Sequence, residues 1–348
     1  MKANEDTMRE WLIATRRDFH MFPELSNQEH RTSEKIKEFL KTLDVEVYDL
    51  PGLTGLVGLI RGRGDGSTIA LRADIDALPI QERTDVPYKS RHEGIMHACG
   101  HDVHMTIMLG VAKHVQESGL SRKLKGTLKF LFQHAEERGS GAREMIEHGV
   151  LENPRVDKVF ACHVSPDLPI GTIGVNRSQS HASADQFSLT IKGKGAHGAR
   201  PNEGIDPIVA GSYFITAIQT ILSRTIKPTD AAVVTVGRFA AGEAPNVIPE
   251  EAELEGTIRA LNNDVRDRVI QRVREIIHGL EKTFQVTCDF QLHESVPACV
   301  NDEDVSSFLY AVASHLLGSD NVQYIPPVTG SEDFAFFALE RPSAIIRL

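Results

Sequence analysis

Between Val45 and Cys162 short apolar runs of strand length recur, the first three joined by turns and the later ones separated by stretches with apolar residues at helical spacing. The runs are Val45 to Tyr48, Gly55 to Ile60, Thr68 to Ala73, Thr127 to Phe132 and Val156 to Cys162. Val103, Ile107, Met108, Val111, Ala112 and Val115 mark one intervening helix, and Ala142 to His148 another. Strands alternating with helices predict an α/β domain, a mainly parallel sheet with helices on both faces. In such sheets ligands bind beyond the carboxyl ends of strands, so the residues that follow each run are the informative ones. They are Asp74 and Asp76, then Glu136 and Glu137, then His163. Acids and a histidine therefore converge from three strands on one predicted edge.

The flanking segments extend this plan. Trp11, Leu12, Thr15, Phe19 and Phe22 form a helical stripe closed by Pro23, and Ile36, Phe39, Leu40 and Leu43 form a second. Ser26 and Glu29 have capping-box spacing ahead of that second helix. The polar stretch Ser178 to Ala184 reads as a hinge. Beyond it, strands at Gln186 to Lys192, Ala231 to Val236, Ala252 to Arg259 and Gln285 to Leu292 enclose helices at Asp206 to Ser223 and Asp264 to Lys282. This βαββαβ order predicts a compact sheet with two helices on one face, an α+β domain inserted into the first. A helix from Asp304 to Leu317 returns to the α/β domain. The expected division is residues 1–180 with 296–348 around an insert at 181–295.

Composition narrows the function classes. Lys and Arg number 38 against 48 Asp and Glu, a net charge of −10 with no basic block, which argues against nucleic acid. No apolar run approaches the ~18 residues of a membrane span, and the first 20 residues lack the apolar core of a secretory signal. Four cysteines in 348 residues are too few for a disulfide scaffold. The expectation is a cytoplasmic protein without membrane or nucleic-acid partners. Histidine, at 15, is the unusual count.

Three windows carry chemistry. In His97-Ala98-Cys99-Gly100-His101-Asp102-Val103-His104, a cysteine and a histidine two apart before a helix can both reach one ion, since thiolate and imidazole suit zinc and its neighbours. Alone, such residues are as readily core or surface. In Gln133-His134-Ala135-Glu136-Glu137, neighbouring side chains diverge, so one carboxylate can ligate metal while the other transfers protons. Taken alone, two adjacent Glu are usually a surface accident. In Asp74-Ile75-Asp76, a carboxylate can orient a metal-ligating histidine from behind, or serve turn chemistry ahead of Pro79. With His163 as a fourth donor, two metals bridged by a carboxylate and a water is the economical reading.

These residues also resemble a family. LRADIDALP (71–79), HACGHDVH (97–104), FQHAEE (132–137), GKGAHGARP (193–201), PNVIP (245–249), GTIR (256–259) and SEDF (331–334) look like the bacterial and plant amidohydrolases. These are the branch of the aminoacylase and carboxypeptidase-like dinuclear metallopeptidases that includes hippurate hydrolases and indoleacetyl-amino-acid hydrolases. The strings occur in the same order along essentially the whole chain. The resemblance implies metal-dependent hydrolysis of an N-acyl-L-amino acid, with two divalent ions (Zn, Mn, Co or Ni) and a homodimer formed through the inserted lid domain. It makes Cys99, His101, Glu137 and His163 metal ligands, Asp76 their support and Glu136 the general base. His197 would reach the active site of a partner subunit, and Asn246 and Arg259 would hold the substrate carbonyl and carboxylate.

The chain departs from that pattern at His134, where the family usually has proline, and at Ser331, where it often has glycine. The family also carries a ligand histidine near its C-terminus, whereas no histidine follows His315. Ala344 to Leu348 reads as the start of a buried strand, so the expectation is a sheet that continues past this end. The rival readings are a dipeptidase or carboxypeptidase of the same superfamily, a catalytically silent dimer that binds metal or acyl-amino acids, and a zinc-stabilised fold.

Overall fold

The structure, a computed structural model, describes residues 2–348. It divides into two compact units: the chain up to Ser178 with Asn301–Pro326 and Asp333–Leu348, and Gln179–Val300 with Pro327–Glu332.

The first unit begins with α1 (Lys2–Met21) and α2 (His30–Thr42), then β1 (Glu46–Asp49), β2 (Leu56–Arg61) and β3 (Thr68–Asp74). α3 (His101–Glu117), β4 (Thr127–Gln133), α4 (Gly141–Glu147), β5 (Lys158–His163) and β6 (Ile173–Val175) follow. Ser26 and Glu29 do not cap α2. The carboxylate of Glu24 does so, accepting from the N–H groups of Arg31 and Thr32 at 3.1 and 2.8 Å. Asn27, at φ 65°, turns the chain between them, and Ser26 and Glu29 point elsewhere.

The second unit holds β7 (Gln179–His181), β8 (Ala184–Lys192), β9 (Ala196–His197), α5 (Pro207–Thr220), β10 (Ala232–Ala241), β11 (Val247–Ile248), β12 (Glu251–Ala260), α6 (Asn263–Phe284), β13 (Thr287–Val296) and β14 (Cys299–Val300). Its main sheet is antiparallel in the order β10-β12-β8-β13. Side chains of α5 and α6, among them Phe214, Ile218, Val269 and Val273, share one apolar core with Phe187, Leu189, Ile191 and Leu254. The polar stretch read as a hinge carries β7 and is largely buried. β10 runs past its expected end at Val236, because a bulge between Val236 and Arg238 lets Gly237 be skipped and pairing with β12 resume. α5 ends at Thr220 and continues as a π-helical turn, Ile221–Thr225.

The chain returns to the first unit as α7 (Glu303–Leu317), β15 (Val322–Tyr324), α8 (Ala335–Glu340) and β16 (Ser343–Arg347). The eight-stranded sheet has the order β1-β2-β4-β3-β5-β16-β6-β15, with β4, β3, β5 and β16 mutually parallel. Side chains of β4 alternate between faces. Phe130 and Phe132 enter a core with Phe19, Ile36, Leu40, Met105 and Leu109 from α1, α2 and α3. Lys129 and Gln133 face the other way, toward the carbonyls of Val150, Glu152 and Pro154 and the carboxylate of Asp333. Register places Asp74 beside Gln133 and Arg347 beside His163, so the carboxyl ends of β3, β4 and β5 share one edge. No described helix is long and apolar enough to cross a membrane.

Candidate active site

At that edge the first unit gathers Asp76, Cys99, His101, Glu136, Glu137 and His163. Gly100, at φ 90°, is the left-handed residue that starts α3, and a Cβ there would lie 2.3 Å from Val164 Cγ2. Only glycine fits, and it sets Cys99 and His101 facing the end of β5. Cys99 Sγ lies 3.5 Å from His163 Nε2. His101 Nε2 lies 3.8 Å from Glu137 Oε1 and 4.0 Å from Glu136 Oε2. Donor atoms of Cys99, His101 and His163 fall within 4.8 Å of one another, as do those of His101, Glu136 and Glu137.

Two atoms here are unusual. His101 Nε2 and Glu137 Oε1 are buried and carry no hydrogen bond, although buried polar atoms almost always find a partner. A divalent cation satisfies both, and a set of thiolate, imidazoles and carboxylate suits a transition metal. The residues present therefore fit the metal that the sequence implies.

Other contacts fix the orientation of these donors. His101 Nδ1 lies 3.1 Å from Asp76 Oδ1 and 2.9 Å from the Asp76 carbonyl, which leaves Nε2 to face the site. Asp76 Oδ2 accepts from Ser26 Oγ at 2.7 Å and from the Glu137 N–H at 3.0 Å. His163 Nδ1 donates to the Val164 carbonyl at 2.6 Å, and its Nε2 faces Cys99 Sγ. Behind them Asp74 accepts from His104 Nδ1 and from Arg72 Nη1, both at 2.6 Å. Arg72 also bonds Gln133 and Asp333. Arg72, His104, Gln133 and Asp333 were given no individual role from sequence, and Ser26 and Glu29 only that of a helix cap. Arg72 left a signal, as the one charge inside the run Thr68 to Ala73. His134 turns away from the site, its Nε2 2.9 Å from Glu144.

The electrostatics favour a cation. Burial opposes the charge on His101, but Asp74 and Asp76 outweigh it and hold the imidazole well above its ordinary pKa. Burial likewise opposes the Asp74 charge, yet His101, Arg72 and His104 hold it well below the usual carboxylate range. Glu137 is pushed up, chiefly by burial. Burial also raises the Cys99 thiol and drives that of Cys162 up to about 12.

His197, Asn246 and Arg259 belong to the second unit. His197 on β9 pairs with Val247 on β11, and the Gly198 N–H donates to the Asn246 carbonyl at 2.8 Å, so His197 and Asn246 are neighbours. Both are exposed. Arg259 lies on β12, on the sheet face opposite Ile258 and the helices, and its Nη1 is buried with no hydrogen-bond partner.

A mainly parallel sheet with thiol, imidazole and carboxylate groups gathered at its carboxyl edge suits a metal-dependent hydrolase. Residues 70–348 match the family described as peptidase family M20/M25/M40, and the chain belongs to it. An N-acetylcysteine deacetylase of Bacillus subtilis is 42% identical over 338 residues, 96% of this chain and 87% of that protein. A hippurate hydrolase of Campylobacter jejuni is 37% identical over 326 residues, 92% and 83% of the two chains. A solved dinuclear metal-binding peptidase of family M20 from Bacillus subtilis superposes with a TM-score of 0.85 at 38% identity, covering 98% of this chain and 89% of the other. With the site's geometry, these likenesses make the protein a metal-dependent amidohydrolase.

Proposed function

We propose that this chain cleaves the amide bond of an N-acyl-L-amino acid, releasing a carboxylic acid and a free amino acid. The observation that carries the reading is the unpartnered pair His101 Nε2 and Glu137 Oε1, 3.8 Å apart, with Glu136 alongside and Cys99 and His163 in reach. The substrate class is supported by relatives named for N-acetylcysteine and hippurate, both N-acyl amino acids.

In this reading Cys99, His101, Glu137 and His163 hold two divalent ions drawn from Zn, Mn, Co and Ni, and Asp76 orients them. Bound metal supplies Lewis-acid polarisation of the amide carbonyl and acidifies the attacking water. Glu136 takes the proton from that water and delivers it to the leaving amine. His197 donates to the developing oxyanion, and Asn246 holds the carbonyl. Arg259 offers a planar fork to the substrate carboxylate, a role its unpartnered Nη1 supports.

The chain acts as a homodimer through the inserted unit, with His197 serving the partner subunit's site. Support comes from β10, an edge strand with exposed Val233 and Phe239, and from exposed Val209 and Tyr213 on α5. Four free thiols are in keeping with the cytoplasm.

The deciding experiment is Glu136→Gln. Its metal content should equal that of wild type while turnover of N-acetyl amino acids falls roughly 10²–10⁴-fold; wild-type turnover in the variant would sink the assignment. A panel of N-acetyl, N-benzoyl and indoleacetyl amino acids identifies the acyl group.

A further inference from the structure

The segment between α1 and α2 plays no part in the reaction just described, yet it sends two side chains to the base of the site. After Gln133 the chain leaves β4 and turns sharply at Ala135, whose φ is 50°. A residue with a Cβ occupies this left-handed region only when its surroundings impose it. Here the surroundings are specific. The Ala135 N–H donates to Glu29 Oε1 at 3.0 Å, and the Ala135 carbonyl accepts from Ser140 and Gly141 at 3.4 and 3.3 Å. Glu29 has no exposed surface, and its second oxygen accepts from Thr54 Oγ1.

Two residues further on, the Glu137 N–H donates to Asp76, which Ser26 holds in turn. The peptide N–H groups on either side of Glu136 are thus each captured by a buried carboxylate from another part of the chain. An acid buried against a main-chain N–H and a hydroxyl does nothing for solubility, and Glu24 already caps α2. What Glu29 does hold is the turn at Ala135 from which the two glutamates follow.

We infer that Glu29 is a positioning residue for amide hydrolysis: by pinning the Ala135 N–H it holds the left-handed turn that aims Glu136 at the reacting water and Glu137 at the metal. The inference rests on the roles given to those two residues under the proposed function. It assigns Ser26 the parallel task for Glu137, exerted through Asp76.

The test compares Glu29→Ala, Glu29→Gln, Ala135→Gly and the double variant Glu29→Ala/Ala135→Gly with wild type at saturating zinc. The readouts are kcat and KM for an N-acetyl amino acid, zinc affinity by chelator competition and the thermal midpoint. Misplacing a catalytic group by about 1 Å costs up to ~100-fold, so Glu29→Ala should lower kcat roughly 10- to 100-fold with KM little changed. Zinc affinity should weaken by about 10-fold, as when a ligand's orienting partner is lost. Glu29→Gln keeps an acceptor for the Ala135 N–H and should recover most of both losses. Glycine enters positive φ without a Cβ penalty, so removing Glu29 should cost less kcat in the Ala135→Gly background.

Wild-type kcat in Glu29→Ala overturns the proposal. So does an equal kcat loss in both backgrounds, accompanied by a lowered midpoint that glutamine fails to restore, since Glu29 then only supports folding. Should Glu29→Ala not fold, Thr54→Val loosens Glu29 more gently: reduced kcat at unchanged KM supports the role, and wild-type kcat refutes it. Full turnover in Glu136→Gln would instead indict the underlying reading. A dead Glu136→Gln beside a fully active Glu29→Ala removes this inference alone.

Discussion

The two units place the residues of the candidate site differently. In the first, Asp74, Asp76, His101 and His104 are at most 1% exposed and bonded to one another or to buried partners, so the chemistry lies inside the fold. In the second, the core between sheet and helices is apolar, while His197 and Asn246 stand on the surface. Burying a charge is costly unless it is paired, so in the first unit the site residues and their supports also carry stability. In the second, the roles proposed for His197 and Asn246 fall on exposed residues, where substitution should cost little stability. A substitution should show which regime its residue belongs to.

The largest expected effect is on folding. Arg72→Met leaves Asp74 and Asp333 buried without their shared cation and should destabilise the protein by about 3–5 kcal/mol in denaturant unfolding. A loss under 1 kcal/mol would show that the first unit tolerates uncompensated charge and would erase the contrast. His197→Ala should do the reverse. Loss of an oxyanion donor costs roughly 10²–10³ in kcat, while an exposed site changes stability by no more than about 0.5 kcal/mol; parallel loss of both would break the distinction. Arg259→Met is intermediate, because Arg259 is partly buried. KM for acyl-amino acids should rise roughly 10-fold, whereas the corresponding amino-acid amides, lacking the carboxylate, should be little affected.

The smallest effect is a pH dependence in the first unit. His20 Nδ1 lies 2.8 Å from Asp102 Oδ2, and Arg16 Nε forms an ion pair with the same oxygen. Burial opposes both charges, but His20 and its neighbours hold Asp102 below the usual carboxylate range, and Asp102 holds His20 above its ordinary value. The Asp102 contribution is present above its unfolded pKa and lost as pH falls through the lower folded value. The His20 contribution is complete below its unfolded pKa and lost as pH rises through the higher folded value. The midpoint difference between wild type and His20→Gln should therefore be greatest between roughly pH 4 and 6.5. A flat difference from pH 3 to 9 would show that the pair contributes no linked stability.

Local pattern carried the fold a long way. The apolar runs of β3 and β4 are largely buried on both sides and that of β5 on one, and their boundaries and the acids or histidine that follow them stand out. Patterns that depend on distant partners misled or were silent. Ser26 and Glu29 have the spacing of a cap, but tertiary acceptors and donors claim them. Arg72 was visible as a charge within a strand, yet its partner Asp333 lies 261 residues away. The roles expected of His197, Asn246 and Arg259 rest on resemblance, since two exposed residues and a partly buried strand arginine leave no periodic trace. β10 was read short because Gly237 and Arg238 interrupt its apolar run where the strand bulges.

Gly100 has a consequence for anyone who would alter this site. It separates Cys99 from His101 and leaves no room for a methyl group against Val164, the neighbour of His163. The loop ahead of α3 and the end of β5 are therefore fitted together like a key in a ward. Changing Cys99, His101 or His163 singly would leave that fit intact, but reshaping the backbone here means changing residues 100 and 164 as a pair.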